Sequence, residues 1–189
     1  LMAGVLWSTV GLGIRMIQDA NVWQILLYRS VSLSAFLAIV IYFRSGASPV
    51  VAVFSSNLNT HVAGMSLVAA YSGGIFAIQN TSVANAMLLF ATAPFLAAIL
   101  GLVVLREKVR AVTWFAILIS LVGISIMIYD KTNGMALSGS LAALGSALGF
   151  AIFTVALRRG QAVDMLPSVF LSGIYAILIT GSICALIDL

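Results

Sequence analysis

The residue of this chain with the clearest capacity for binding chemistry is Arg29, a cation inside an apolar segment. An ionised side chain within a membrane helix is costly, so it requires a partner, water or a functional role. A fixed positive charge at this depth would attract the carboxylate or phosphate of a solute. The alternative is an arginine that extends to the interface or binds helix-end carbonyls, and the sequence leaves both interpretations open.

A second group of candidates surrounds Pro94, at the centre of a predicted helix. Its ring deprives the Phe90 carbonyl of its usual donor and favours a kink. Transporters place solutes at such breaks near the membrane midplane. Asn85 and Thr92 are seven residues apart and share one helix face, where they either line a path toward the kink or hold helices together.

Two aromatic residues complete the predicted solute pathway. Tyr71 stands beside Gly73 and Gly74, which suggests an aromatic wall where another backbone approaches closely. Trp7, followed by Ser8 and Thr9, offers an aromatic and polar surface to an amphipathic solute. Plain helix packing is the alternative for both residues.

Few residue types that carry out catalysis are present in this chain. There is one His and one Cys, and no Asp or Glu falls within any predicted span. We therefore predict no catalytic residues, no metal site and no cofactor. A carboxylate that exchanges protons for cationic drugs also has no candidate, which disfavours a proton-coupled cation extruder.

The elements that position these residues are membrane helices. The chain is 62% hydrophobic and 7% charged, and residues 45–105 contain no Asp, Glu, Lys or Arg. Residues 111–129, 132–157 and 165–187 are also uncharged, each close to the about 20 residues that cross a hydrocarbon core. This pattern excludes a soluble domain and predicts an all-α, multi-pass transmembrane helix bundle.

Seven spans are predicted from these runs: 1–17, 22–43, 62–79, 83–105, 112–129, 138–157 and 166–187. The connections are short and polar, so neighbouring spans form antiparallel hairpins. Six Lys or Arg residues fall on one side of the membrane and two on the other, with Arg29 inside a span. The positive-inside bias then predicts a cytoplasmic N-terminus.

A weak internal repeat is the other long-range feature. Shifting the chain by 143 residues superposes Trp7 on Phe150 and Arg15 on Arg158, without gaps. A repeat unit of five helices is odd, so the second copy enters the membrane inverted, as in secondary transporters. We predict a first repeat at 1–130, followed by the start of a second at 131–189 whose remaining three helices are missing.

The chain also resembles a known family. The residues from Asn80 through Pro94, the segment Leu105-Arg-Glu-Lys-Val and the later Trp114 are similar to the EamA-like branch of the drug/metabolite transporter superfamily. The resemblance implies two inverted five-helix halves, a fourth helix with a central proline, and a glutamate, here Glu107, just past its cytoplasmic end. It also implies transport, with export as the direction.

The leading hypothesis is therefore a secondary transporter of small organic metabolites, such as amino acids or related amphipathic solutes. Its expected location is a cell membrane, most simply a bacterial inner membrane. The alternatives are a non-transporting membrane subunit or degenerate fragment and, with least support, an intramembrane enzyme. Expected partners are a small-molecule solute and the lipid bilayer, with no nucleic acid, and a homodimer stays open.

Overall fold

The computed structural model describes residues 14, 16, 21–45, 57–129, 134–161 and 165–186. All regular secondary structure within these residues is helical. We number the helices in chain order as α1 Val22–Ser45, α2 Leu58–Asn80, α3 Val83–Phe90, α4 Ala93–Val104, α5 Ala111–Tyr129, α6 Gly134–Arg159 and α7 Leu166–Leu186. The predicted span 1–17, with Trp7, lies outside the described residues except for Ile14 and Met16.

The helices confirm the predicted membrane fold. Five segments of the described chain are long and apolar enough to cross a membrane, with α3 and α4 counting together as one segment. Helix α5 adds a shorter apolar segment, Ala111–Gly123. The observed helix ends fall within four residues of the predicted ones. The inverted repeat itself stays a prediction.

Helices α2 and α6 form the centre of the bundle. Small residues on α6 allow the two backbones to approach closely. A Cβ atom on Gly149 would lie 2.8 Å from the carbonyl oxygen of Ser66, and one on Gly139 would lie 2.9 Å from that of Asn80. Since Gly139 meets the end of α2 and Gly149 meets its middle, the two helices are antiparallel. This agrees with the predicted alternation of spans.

The remaining helices surround this pair. Helices α3 and α4 pack on α6, while α7 packs on both α1 and α2. Large apolar side chains on the outer surfaces, including Phe36 and Phe43 of α1 and Phe115 of α5, are exposed. Contiguous apolar surface of this kind is rare in soluble monomers and is what lipid contact requires.

Candidate solute-binding cavity

A cavity of about 370 Å³ lies within the bundle, toward the end where α1 begins and α2 ends. Five of the helices contribute to its wall: Arg29 comes from α1, Tyr71 and Gly74 from α2, Phe90 from α3, Pro94 from α4, and Ser146 and Phe150 from α6. Pockets of this size hold small organic molecules. The wall is predominantly apolar, with a few polar groups at defined positions.

Arg29 is the charged group of this cavity. Its guanidinium carbon lies 3.7 Å from the ring centroid of Tyr71, which is the geometry of a cation–π contact. Its Nη1 atom is buried and has no hydrogen-bond partner among the described residues. Glu107 is the single acidic residue in that part of the chain, and it is bound to Arg158. The positive charge of Arg29 is therefore left without a protein counter-charge there.

Tyr71 is held in place by the close approach of α6. A Cβ atom on Gly73 would lie 3.0 Å from the Ala142 carbonyl oxygen, so α6 can approach this closely only where α2 carries a glycine. The Ser146 hydroxyl, which also lines the cavity, donates a hydrogen bond of 2.6 Å to the carbonyl of Ala70. This bond joins α6 to α2 directly beside the aromatic ring and limits the movement of that ring.

The predicted kink before Pro94 separates α3 from α4. Ala91 and Thr92 form a turn, and Pro94 occupies the first turn of α4, where a missing N–H costs little. The N–H groups of Phe95 and Leu96 both donate to the Thr92 carbonyl, at 3.0 and 3.1 Å. The break lies at the cavity wall, since Phe90, Ala91 and Pro94 all line it.

Asn85 and Thr92 are buried but do not line this cavity. The Asn85 side-chain amide donates to the hydroxyls of Thr81, at 2.9 Å, and Ser140, at 2.8 Å. The Thr92 hydroxyl donates to the Leu89 carbonyl at 2.6 Å. Their polar groups therefore link helices or stabilise the break, in agreement with the structural alternative considered for them.

The structure thus brings together Arg29, Tyr71 and Pro94, and Phe150, the predicted repeat counterpart of Trp7, joins them. Trp7 itself lies outside the described residues. Ser146 was not predicted as a site residue from the sequence. It belongs to a row of small residues on α6 with Gly139 and Gly149, and that row was the signal that could have indicated a close helix contact. His61 of α2 also makes a contact between helices, since its Nδ1 atom lies 2.6 Å from the Tyr175 hydroxyl of α7.

The bundle is closed on the side of the cavity nearest the end of α6. A cluster of buried apolar residues fills this region: Ala63 and Leu67 from α2, with Phe153, Ala156 and Leu157 from α6. Farther along, Arg158 Nη2 binds both carboxylate oxygens of Glu107, at 2.7 and 2.6 Å. The loop that carries Glu107 turns at Arg106, with φ of 55°, and Glu107 meets α6.

Comparison with known proteins agrees with this architecture. Residues 1–129 match the model of the EamA-like transporter family, which confirms the resemblance noted in the sequence. No curated protein and no solved structure gives a significant match.

Proposed function

Because this chain belongs to the EamA-like transporter family, and is thus a drug/metabolite transporter-type membrane protein, we propose that it exports a small organic metabolite by secondary transport. Amino acids and related amphipathic solutes are the proposed cargo. The observation that supports this most directly is the cavity of about 370 Å³ at the break between α3 and α4. Interrupted helices at the centre of a bundle are where secondary transporters bind their solutes.

The closure of the bundle on one side supports alternating access. The cavity adjoins the end where α2 finishes, while the apolar cluster and the Glu107–Arg158 ion pair close the other end. By the positive-inside bias, the closed end is the cytoplasmic one, and the N-terminus lies on that side too. A solute held beside Arg29 would then reach the cytoplasm only after this end opens.

Ligand-dependent stabilisation of the purified chain tests the proposal. The panel contains amino acids, nucleobases, carboxylates and hydrophobic cations. A solute that binds only the folded state raises its stability by about 2.7 kcal/mol at a concentration of 100 Kd, which a thermal melt detects. A solute that stabilises the protein is then followed in efflux from cells that express the chain.

A matched pair of variants connects binding to the cavity. Ala91→Phe places a bulky ring at the cavity wall, whereas Ala69→Phe places the same ring on an exposed site of α2 outside it. We expect the first to abolish stabilisation and efflux and the second to preserve both. Equal activity of the two variants would contradict a solute site in this cavity, and a lack of binding and efflux across the panel would contradict transport.

A further inference from the structure

We infer that Arg29 and the Tyr71 ring form a carboxylate-binding site that selects a singly charged organic acid with an apolar body. This inference rests on the proposed function only in taking the cavity as the place where a solute binds. It adds the chemical class of that solute, which family membership does not supply.

Arg29 carries a permanent positive charge. A guanidinium stays protonated in proteins, so this charge cannot be removed by loss of a proton. The guanidinium carbon lies over the Tyr71 ring, while Nη1 is buried and has no hydrogen-bond acceptor within the described part of the chain. A buried donor without a partner is costly, and more so when it is charged. An anion in the cavity would supply both the acceptor and the counter-charge.

The shape of the Arg29 guanidinium suits a carboxylate. The N–H donors of a guanidinium lie in one plane and match the two oxygens of a carboxylate. The guanidinium carbon lies 3.7 Å from the centroid of the Tyr71 ring, and this contact fixes the position of the group in the cavity wall. Tyr71 is therefore a positioning residue, since it orients the guanidinium, and Arg29 is the residue that contacts the carboxylate.

Among the described residues, the rest of the wall offers few groups that bind a second charge. Phe90, Pro94 and Phe150 present apolar surface, and the Ser146 hydroxyl proton is already donated to Ala70. Desolvating an additional charge without a partner is strongly unfavourable. A monocarboxylate should therefore bind better than a dicarboxylate or a doubly charged phosphate ester.

The helix break provides one group that favours an anion and one that favours a cation. Helix α4 begins at the cavity wall, and the N-terminal end of a helix favours an anion. Pro94 has no N–H to donate to the carbonyl of Phe90, and that carbonyl could accept a hydrogen bond from an ammonium group. Both a simple acid and a zwitterionic amino acid carry the required carboxylate, and the experiment separates these two sources.

Four ligands that share one carbon skeleton provide the test: 4-methylpentanoate, 4-methylpentanamide, 4-methylpentylamine and leucine. Binding to the detergent-purified chain is measured by calorimetry. We expect the carboxylate to bind at least tenfold more tightly than the amide, and the amine to bind more weakly than either. If leucine binds with the same affinity as 4-methylpentanoate, zwitterions are the cargo. If leucine binds with lower affinity, simple acids are the cargo.

Variants assign the effect to the guanidinium. Arg29→Gln should weaken carboxylate binding by about ten- to a hundredfold, the range for a hydrogen bond to a charged group, and leave amide binding within about twofold. Arg159→Gln, at an exposed position outside the cavity, is the matched control. If Arg29→Gln does not fold, Arg29→Lys is the second variant. It keeps the positive charge but loses the paired N–H donors of the guanidinium. It should show a smaller loss of affinity, confined to the two carboxylate ligands.

The inference is overturned if the amide binds as tightly as the carboxylate, if Arg29→Gln leaves carboxylate binding unchanged, or if none of the four ligands binds. In each case the proposed function is decided separately, by the wider solute panel and the Ala91→Phe variant. A neutral or cationic solute that binds in the cavity would preserve transport and remove the carboxylate site.

Discussion

Substituting Gly145 and Gly149 of α6 one at a time gives a sharp test of the packing of this helix against α2. Gly145 and Gly149 are four residues apart on one helix, a spacing that is typical of close helix crossings. Only Gly149 has this role in the structure. Its added Cβ would meet backbone atoms of Ser66 and Ala70 at 2.8 and 3.0 Å, whereas a Cβ on Gly145 meets nothing within 4 Å.

The magnitude follows from comparing the two alanine variants. Gly to Ala in a helix interior is favourable by roughly 0.5–1 kcal/mol, and this contribution is common to both positions and cancels in their difference. Overpacking typically costs about 1–3 kcal/mol, and backbone atoms cannot rotate away as a flexible side chain can. Gly149→Ala should therefore be less stable than Gly145→Ala by about 1–3 kcal/mol.

Thermal unfolding of the purified chain in detergent measures this difference. For a chain of this size, each kcal/mol corresponds to roughly 2–4 °C in Tm. We expect Gly149→Ala to melt about 2–12 °C below Gly145→Ala, with Gly145→Ala at or slightly above the unsubstituted chain. Equal melting temperatures for the two variants would refute the close crossing of α2 and α6 at Gly149.

Three further predictions concern the polar and proline residues. Asn85→Leu preserves side-chain volume but removes the bond to Ser140, so we expect a loss of about 1 kcal/mol in thermal melts with solute binding intact; lost binding at unchanged stability would instead place Asn85 in the solute path. The single substitutions Glu107→Arg and Arg158→Glu should each lower the melting temperature slightly, by the about 0.2–1 kcal/mol of an exposed pair, and the double swap should restore it; additive losses would contradict the pairing. Pro94→Ala should restore a donor for the α3 carbonyls and weaken solute binding in calorimetry, with stability changed by less than about 1 kcal/mol because the proline already lies in the first turn of α4; unchanged affinity would show that the break does not shape the cavity.

Much of the fold could be predicted because, apart from Arg29, the charges of the described residues occur in the last turns of helices or between helices. The uncharged runs gave the spans, and a proline without an N–H indicated the break before Pro94. Arg29 was singled out for a similar reason, since a charge within a span has few tolerable surroundings, although the sequence left its role open. These are local constraints, and each follows from a single residue or from one continuous run.

Contacts between helices were harder to predict from the sequence. Asn85 and Thr92 were expected to share one helix face, but Thr92 lies in the turn that follows α3. Which neighbour Asn85 meets depends on the rotation of α3 about its axis, and it meets Ser140 of α6. Glu107 had three basic neighbours in sequence, yet its partner is Arg158, 51 residues away. Pairing of this kind is set by helix packing, which spacing within one helix does not determine.

The same α2–α6 pair both shapes the cavity and closes it. Around Tyr71, the glycines of α2 let α6 approach, while the Arg29 guanidinium and the interrupted α3–α4 segment keep space open opposite. One turn farther along, Gly149 allows backbone contact, and Leu67 packs with Phe153 beyond it. Solute release on that side therefore requires α2 and α6 to separate, which breaks the Gly149 crossing and exposes the apolar cluster. Because a bound anion would neutralise the charge of Arg29 in the cavity wall, binding and closure of the bundle around the solute are expected to favour each other.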